Sequence, residues 1–147
     1  MQIIKAGIEQ VADIAPLFDR YRQFYECPAD LELATRYIGE RLANNESTIF
    51  LARDGQQSLG FVQLYRTFCS VQTVPILVLY DLFVEQSVRN SGLGAQLMNR
   101  AKEYAQQQGV GRIDLQTAHS NLAGQHLYEK LGYVKVLEDF HTYSLAL

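Results

Sequence analysis

The chain has no tryptophan, two cysteines and three prolines, and no excess of one charge sign: 13 Lys and Arg stand against 16 Asp and Glu in 147 residues. With only Cys27 and Cys69, at no metal-like spacing, a disulfide scaffold is excluded, and the pair reads as free thiols of a cytoplasmic protein. A formal net charge of −3 supplies no global field for nucleic acid or an anionic membrane, so neither is expected as a partner. No apolar run approaches the ~20 residues of a membrane span. The N-terminal MQIIKAGIEQ lacks the charged-then-apolar layout of a secretory signal. His119, His126 and His141 have no ligand spacing, and no metal is expected.

What is present is the composition of an ordinary globular domain, 48% hydrophobic and 20% charged. No repeat, low-complexity tract or linker interrupts it, so residues 1–147 read as one domain. Ile3 and Ile4 fit a short strand. Val11, Ile14, Ala15, Phe18 and Tyr21 then recur at helical spacing to about Tyr25, with Pro28 as the break. Leu31, Thr35, Ile38 and Leu42 continue as a second helix. Residues 48–53 and 58–67 read as paired strands around Asp54-Gly55, and 74–84 as a central strand covered on both faces. Helix 93–108, strand 113–117, helix 121–131 and two last strands, 133–138 and 140–145, complete the chain. The order β-α-α-β-β-β-α-β-α-β-β is that of an α/β domain, a mixed sheet with helices on both faces.

Chemistry concentrates where the central strand runs into Arg89-Asn90-Ser91-Gly92-Leu93-Gly94-Ala95 and then a helix. A glycine-rich turn leaves backbone N–H groups unobstructed, and the helix adds the positive end of its dipole, so the turn suits a phosphate or pyrophosphate. A P-loop is excluded, because GxxxxGK[ST] is absent, and so is a dinucleotide fingerprint, because Gly92-x-Gly94 continues as Ala95-Gln96-Leu97. By itself the pattern also describes a plain turn.

A second stretch narrows the choice. Asn121 through Tyr133 reads N-x-x-G-x-x-L-Y-E-K-L-G-Y. Together the two motifs, spanning Leu82 to Tyr133, resemble the GCN5-related N-acetyltransferase (GNAT) superfamily, whose cofactor motif is [Q/R]-x-x-G-x-[G/A]. The stretches YRQFY and LYDLFV are similar to a microbial subgroup that includes polyamine- and histone-acetylating enzymes. The resemblance implies the GNAT acyl-CoA N-acyltransferase fold and acetyl-CoA as cosubstrate. The fourth strand then splays from the fifth, and the backbone of Leu82, Phe83 and Val84 meets the pantetheine arm. It also implies that the amides of Asn90, Ser91, Gly92, Leu93, Gly94 and Ala95 hold the pyrophosphate, with Arg89 reaching a phosphate oxygen. Asn121 would bond the pantetheine, cap its helix, or do both. Tyr128 would protonate the departing CoA thiolate as general acid.

The base that deprotonates the amine stays open. Where the polyamine enzymes carry Glu-Asp, this chain has Tyr80-Asp81. Asp81 is placed to hold the ammonium or take its proton through water, or else it is a strand-end carboxylate bonded to backbone. Alternation along a strand says that it does not simply inherit the glutamate's task. Tyr21, Phe24, Tyr25 and Tyr80 are candidates for the substrate side. Glu26 and Asp30 stand beside them, and Phe140, His141 and Tyr143 lie near the end. The implied function is transfer of acetyl to a primary amine of a small molecule, by a homodimer. Acetylation of a protein lysine or N-terminus is a second reading, and a non-catalytic acyl-CoA-binding module a third.

Overall fold

A computed structural model describes every residue from Met1 to Leu147. Its elements are β1 (Gln2–Lys5), α1 (Val11–Phe24), α2 (Leu31–Ala43), β2 (Ser47–Asp54), β3 (Gln57–Cys69), β4 (Val74–Val84), α3 (Leu93–Gln108), β5 (Ile113–Leu115) and α4 (Leu122–Lys130). They fall into two compact units, Met1–Gln116 and Thr117–Leu147.

The first unit is a five-stranded mixed sheet in the order β1-β2-β3-β4-β5. The first three pairings are antiparallel, and β4 to β5 is parallel. Alternation along β2 sorts its side chains between two helical layers. Ile49 and Leu51 join Ile14, Leu17, Phe18, Ala34, Ile38, Phe61 and Phe83 in the core beneath α1 and α2. Phe50, between them, turns to the other face and meets Tyr104 of α3 with ring centroids 5.6 Å apart. The expected layering of helices on both faces is therefore present.

The corner between α1 and α2 is set before Pro28 is reached. Glu26 takes a left-handed φ of 64°, and the Cys27 N–H folds back on the Arg22 carbonyl at 3.0 Å. The side chain of Asp30 then accepts the Leu33 N–H at 3.0 Å and caps α2. The buried Asp19 carboxylate accepts the Asp30 N–H at 2.9 Å and locks the two helices together. Asp30, a candidate for the substrate side, thus already has a structural task.

Two features of β4 differ from a regular strand. The register against β3 shifts between Gln63 and Leu64: Gln63 pairs with Asp81, but Leu64 pairs with Leu79, so Tyr80 is an extra residue. This is a β-bulge. In addition, β5 pairs only with Leu77, Val78 and Leu79, while β4 runs on to Val84. Beyond Leu79 the β5-side edge of β4 carries no ladder, which is the splay the resemblance implies.

In the second unit Asn121 caps α4, and Gly132 follows it at φ 94° with the Tyr133 N–H on the Tyr128 carbonyl at 3.0 Å. The expected strands over 133–138 and 140–145 are absent. The turn between them does form: Leu137 has φ 60°, and the Phe140 N–H donates to its carbonyl at 3.1 Å. No ladder grows from that turn, and residues 133–147 carry no regular element. A two-stranded hairpin is marginal without a third strand or a helix to pack on, and here Val134, Val136, Phe140, Tyr143 and Leu145 stay exposed.

Candidate active site

The glycine turn is built as its sequence suggests. After β4 the Glu85 N–H anchors to the Leu59 carbonyl at 2.8 Å, and one 3-10 turn, Gln86–Val88, leads to Arg89. Asn90 at φ 62° and Gly92 at φ 86° both take left-handed backbone, and Gly92 is the N-cap of α3. A cap without a side chain makes no bond to the first turn of the helix. The amides of Leu93, Gly94 and Ala95 thus belong to the set that a helix leaves for an outside acceptor. The fit to a pyrophosphate rests on those amides and on the dipole of a 16-residue helix.

Two side chains of the turn are already engaged. The Ser91 hydroxyl donates to the Val88 carbonyl at 2.5 Å. Arg89 donates from Nε to the Val84 carbonyl at 3.0 Å, with its guanidinium 5.7 Å from the centre of the Phe83 ring. Arg89 thus braces the end of β4 as well as bordering the turn. On β4 itself Phe83 is buried in the α1/α2 core, while Leu82 and Val84 are half-buried. Asn121 uses both ends of its amide within its own unit: Oδ1 accepts the Gly124 N–H at 3.1 Å, and Nδ2 donates to Thr117 Oγ1 at 3.0 Å. The capping role is therefore present. Tyr128 lies on α4 with its ring 6.2 Å from that of Tyr133.

The bulge changes the reading of Asp81. Because Tyr80 is the extra residue, two consecutive side chains serve the α1/α2 face, and strict alternation does not hold here. The Tyr80 ring sits 5.4 Å from Tyr65, whose hydroxyl is 2.7 Å from that of Tyr37 on α2. The Asp81 carboxylate, 7% exposed, accepts from Gln63 Nε2 at 2.6 Å and is a hydrogen-bond partner of Tyr21 on α1. Burial pushes the Asp81 carboxyl above the usual aspartate range, against the opposing bonds from Gln63 and Tyr21. Asp81 is thus not a strand-end carboxylate tied to backbone but a buried acid facing side-chain partners.

Tyr21 and Tyr65 lie near this carboxylate, and further rings pack against them. Tyr21 donates to the Tyr80 carbonyl at 3.1 Å and meets Tyr25 edge-on at 5.1 Å, and Tyr25 in turn meets Phe24 at 5.3 Å. Burial and the nearby Asp81 push the Tyr21 phenol upward, and burial and the Tyr37 bond do the same for Tyr65, so both remain protonated donors. Phe24, Tyr25 and Tyr80 are exposed, as the rim of a binding surface is. Of the sequence-based candidates, the structure brings Tyr21, Tyr25, Tyr80 and Asp81 together. Glu26 forms the left-handed corner, and Phe140, His141 and Tyr143 lie in the second unit. Cys69, a free thiol as expected, is pulled below the ordinary thiol range by the Gln72 backbone and by Arg112.

Sequence reasoning passed over Gln63. Its signal was there: in Phe61-Val62-Gln63-Leu64-Tyr65 a polar residue takes the same face as Phe61 and Tyr65, and nothing of it reaches solvent. No group of three or more His, Cys, Asp or Glu is placed to hold a metal ion. No helix is long and apolar enough to cross a membrane.

Comparison with known proteins agrees with this fold. The model of the acetyltransferase (GNAT) family matches residues 12–133. The chain is 44% identical over 133 residues to the uncharacterized N-acetyltransferase YhfO of Bacillus subtilis (strain 168), covering 90% of this chain and 89% of that protein. It is 30% identical over 105 residues to a probable acetyltransferase of Haemophilus influenzae, covering 71% and 72%. The crystal structure of a probable acetyltransferase superposes with a TM-score of 0.91 at 31% identity, covering 100% of this chain and 98% of that one.

Proposed function

Because the chain belongs to the GNAT acetyltransferase family, we propose that it moves acetyl from acetyl-CoA directly to a primary amine of a small molecule, with residues 1–147 acting as one N-acetyltransferase domain. The observation that carries the acceptor side is the buried Asp81 carboxylate with Tyr21 and Tyr65 near it, Tyr25 against Tyr21 and Tyr80 against Tyr65. An acid beneath aromatic rings recognises an alkylammonium: the rings attract the cation with their faces, and the carboxylate neutralises it.

In this reading the pyrophosphate of acetyl-CoA rests on the amides of residues 90–95. The pantetheine arm runs along the unpaired edge at Leu82, Phe83 and Val84, and the family resemblance assigns Asn121 a bond to the pantetheine. Acetyl-CoA supplies the thioester, and the chain does the rest. Asp81 accepts a proton from the ammonium, freeing the nitrogen lone pair. A backbone N–H near Leu82 or Phe83 stabilises the oxyanion that develops on attack. Tyr128 gives its phenolic proton to the sulfur as the C–S bond breaks. The raised carboxyl of Asp81 favours this use, because a base works best when its pKa lies nearer the working pH. The reading includes a homodimer in the cytoplasm, checked by light scattering and by fractionation.

The test is thiol release from acetyl-CoA against polyamines, amino acids, aminoglycosides and lysine peptides. Release with a small amine and none with peptides supports the reading. Release with peptides alone moves the function to protein acetylation. Silence throughout, with acetyl-CoA still raising the melting temperature, leaves a binding module.

A further inference from the structure

Gln63 and Asp81 face each other across the β3–β4 ladder at the residue where the bulge begins. Gln63 is wholly buried, and its Nε2 lies 2.6 Å from Asp81 Oδ2. The other end of the amide, Oε1, is buried with no hydrogen-bond partner. A leucine would fill this site but take the N–H donor from the buried Asp81 carboxylate, so glutamine serves that carboxylate and not packing alone.

The surroundings make the amide the side chain best able to answer a change of charge on Asp81. Tyr21 and Tyr25 come from α1, Tyr65 from β3 and Tyr80 from β4. Behind Tyr65 stands Tyr37 of α2, with the Arg41 guanidinium 4.5 Å from its ring centre. The Tyr21 phenol is held protonated, which suits an ionised carboxylate. A carboxamide offers an N–H donor to a carboxylate and, turned end for end, a carbonyl acceptor to a carboxylic acid.

We propose that Gln63 is a positioning residue that holds Asp81 through both of its charge states, its N–H end to the carboxylate and its carbonyl end to the acid. The proposal rests on the reading of Asp81 as the group that takes the ammonium proton. The balance is simple: one proton passes from the ammonium nitrogen to a carboxylate oxygen, leaving a neutral amine and a neutral carboxyl. The amide turns its stranded oxygen to that new O–H. Asp81 returns the proton to solvent and the amide turns back. Gln63 itself touches neither substrate nor cofactor.

The experiment follows the Asp81 carboxyl by carbon-13 NMR across pH in the full chain, its signal assigned by loss in Asp81→Asn. Gln63→Met keeps the volume and removes both polar ends. Because the amide's bond to the charged carboxylate is stronger than its bond to the neutral acid, the loss is expected to raise the Asp81 midpoint by about one pH unit, a tenfold change in proton affinity. The acidic limb of kcat/KM, measured with the amine found in the panel, moves by the same amount, while the dissociation constant for acetyl-CoA stays within twofold. A folded Gln63→Met protein with both midpoint and limb unmoved overturns the proposal. Should Gln63→Met not fold, Gln63→Asn withdraws the amide by one methylene, and its titration decides in the same way. If Asp81→Asn keeps the acidic limb, Asp81 is not the base and the catalytic role of Gln63 falls with it. If Asp81→Asn abolishes the limb and Gln63→Met leaves it in place, only the positioning role falls.

Discussion

The Tyr21 hydroxyl donates to the carbonyl of Tyr80 across 3.1 Å, so a helix 59 residues away in sequence holds the bulged residue of β4 in place. The same phenol is a partner of Asp81. One side chain therefore holds the bulge and stands beside the acid next to it.

Tyr21→Phe keeps the ring contacts with Phe18, Tyr25 and Phe61 and removes only the hydroxyl. It is expected to cost about 1 kcal/mol in urea unfolding, the net worth of one such bond. Steady-state kinetics should show KM for the amine rising about fivefold, the equivalent of that bond, with acetyl-CoA binding unchanged. A loss of acetyl-CoA affinity instead would assign Tyr21 to the cofactor side.

Gly92 caps α3 at φ 86° with no atom within 4 Å of the place a Cβ would take, so a substitution there is strained by backbone rather than by crowding. Gly92→Val therefore costs about 1–2 kcal/mol to keep the turn. Calorimetric titration with acetyl-CoA should report roughly a tenfold weaker complex. Unchanged affinity in a folded variant would remove the pyrophosphate from this turn.

Tyr128→Phe tests the general acid. Turnover is expected to fall about 100-fold or more, with the acetyl-CoA dissociation constant little altered. Leaving-group dependence separates this from a packing defect: an acyl donor with a more acidic thiol should restore part of the rate, because its thiolate leaves without a proton. A uniform loss across donors would make Tyr128 structural.

Stability against pH should carry the mark of Asp81. Its carboxyl is raised in the folded chain above the ordinary 3.8. Between those two values the folded state binds more protons than the unfolded state, so this group's contribution falls as pH rises. Asp81→Asn should accordingly melt higher than the parent at neutral pH, and the gap should close as pH drops toward about 4. A gap that widens toward low pH would mean that the carboxylate is stabilising and its pKa depressed.

Particular residues show how far the sequence reached. The glycine turn and the Asn121 cap were legible because both act locally: a missing Cβ and a short polar side chain set the backbone within a few residues. The bulge at Tyr80 was not legible because it is a relation between two strands, and no residue of β4 alone announces it. Gln63 was passed over because its partner lies 18 residues away. The terminal strands were expected from alternation, but alternation states which side chains share a face, and a ladder also needs a neighbour.

The sequence by itself determined the family, the element order of the first 132 residues and the glycine turn, all of which rest on periodicity, motif and short-range backbone chemistry. Tertiary structure decided what Asp81 is. Pairing of β3 with β4 placed Gln63 against it, the bulge turned it to the α1/α2 layer, and burial there pushed its carboxyl upward.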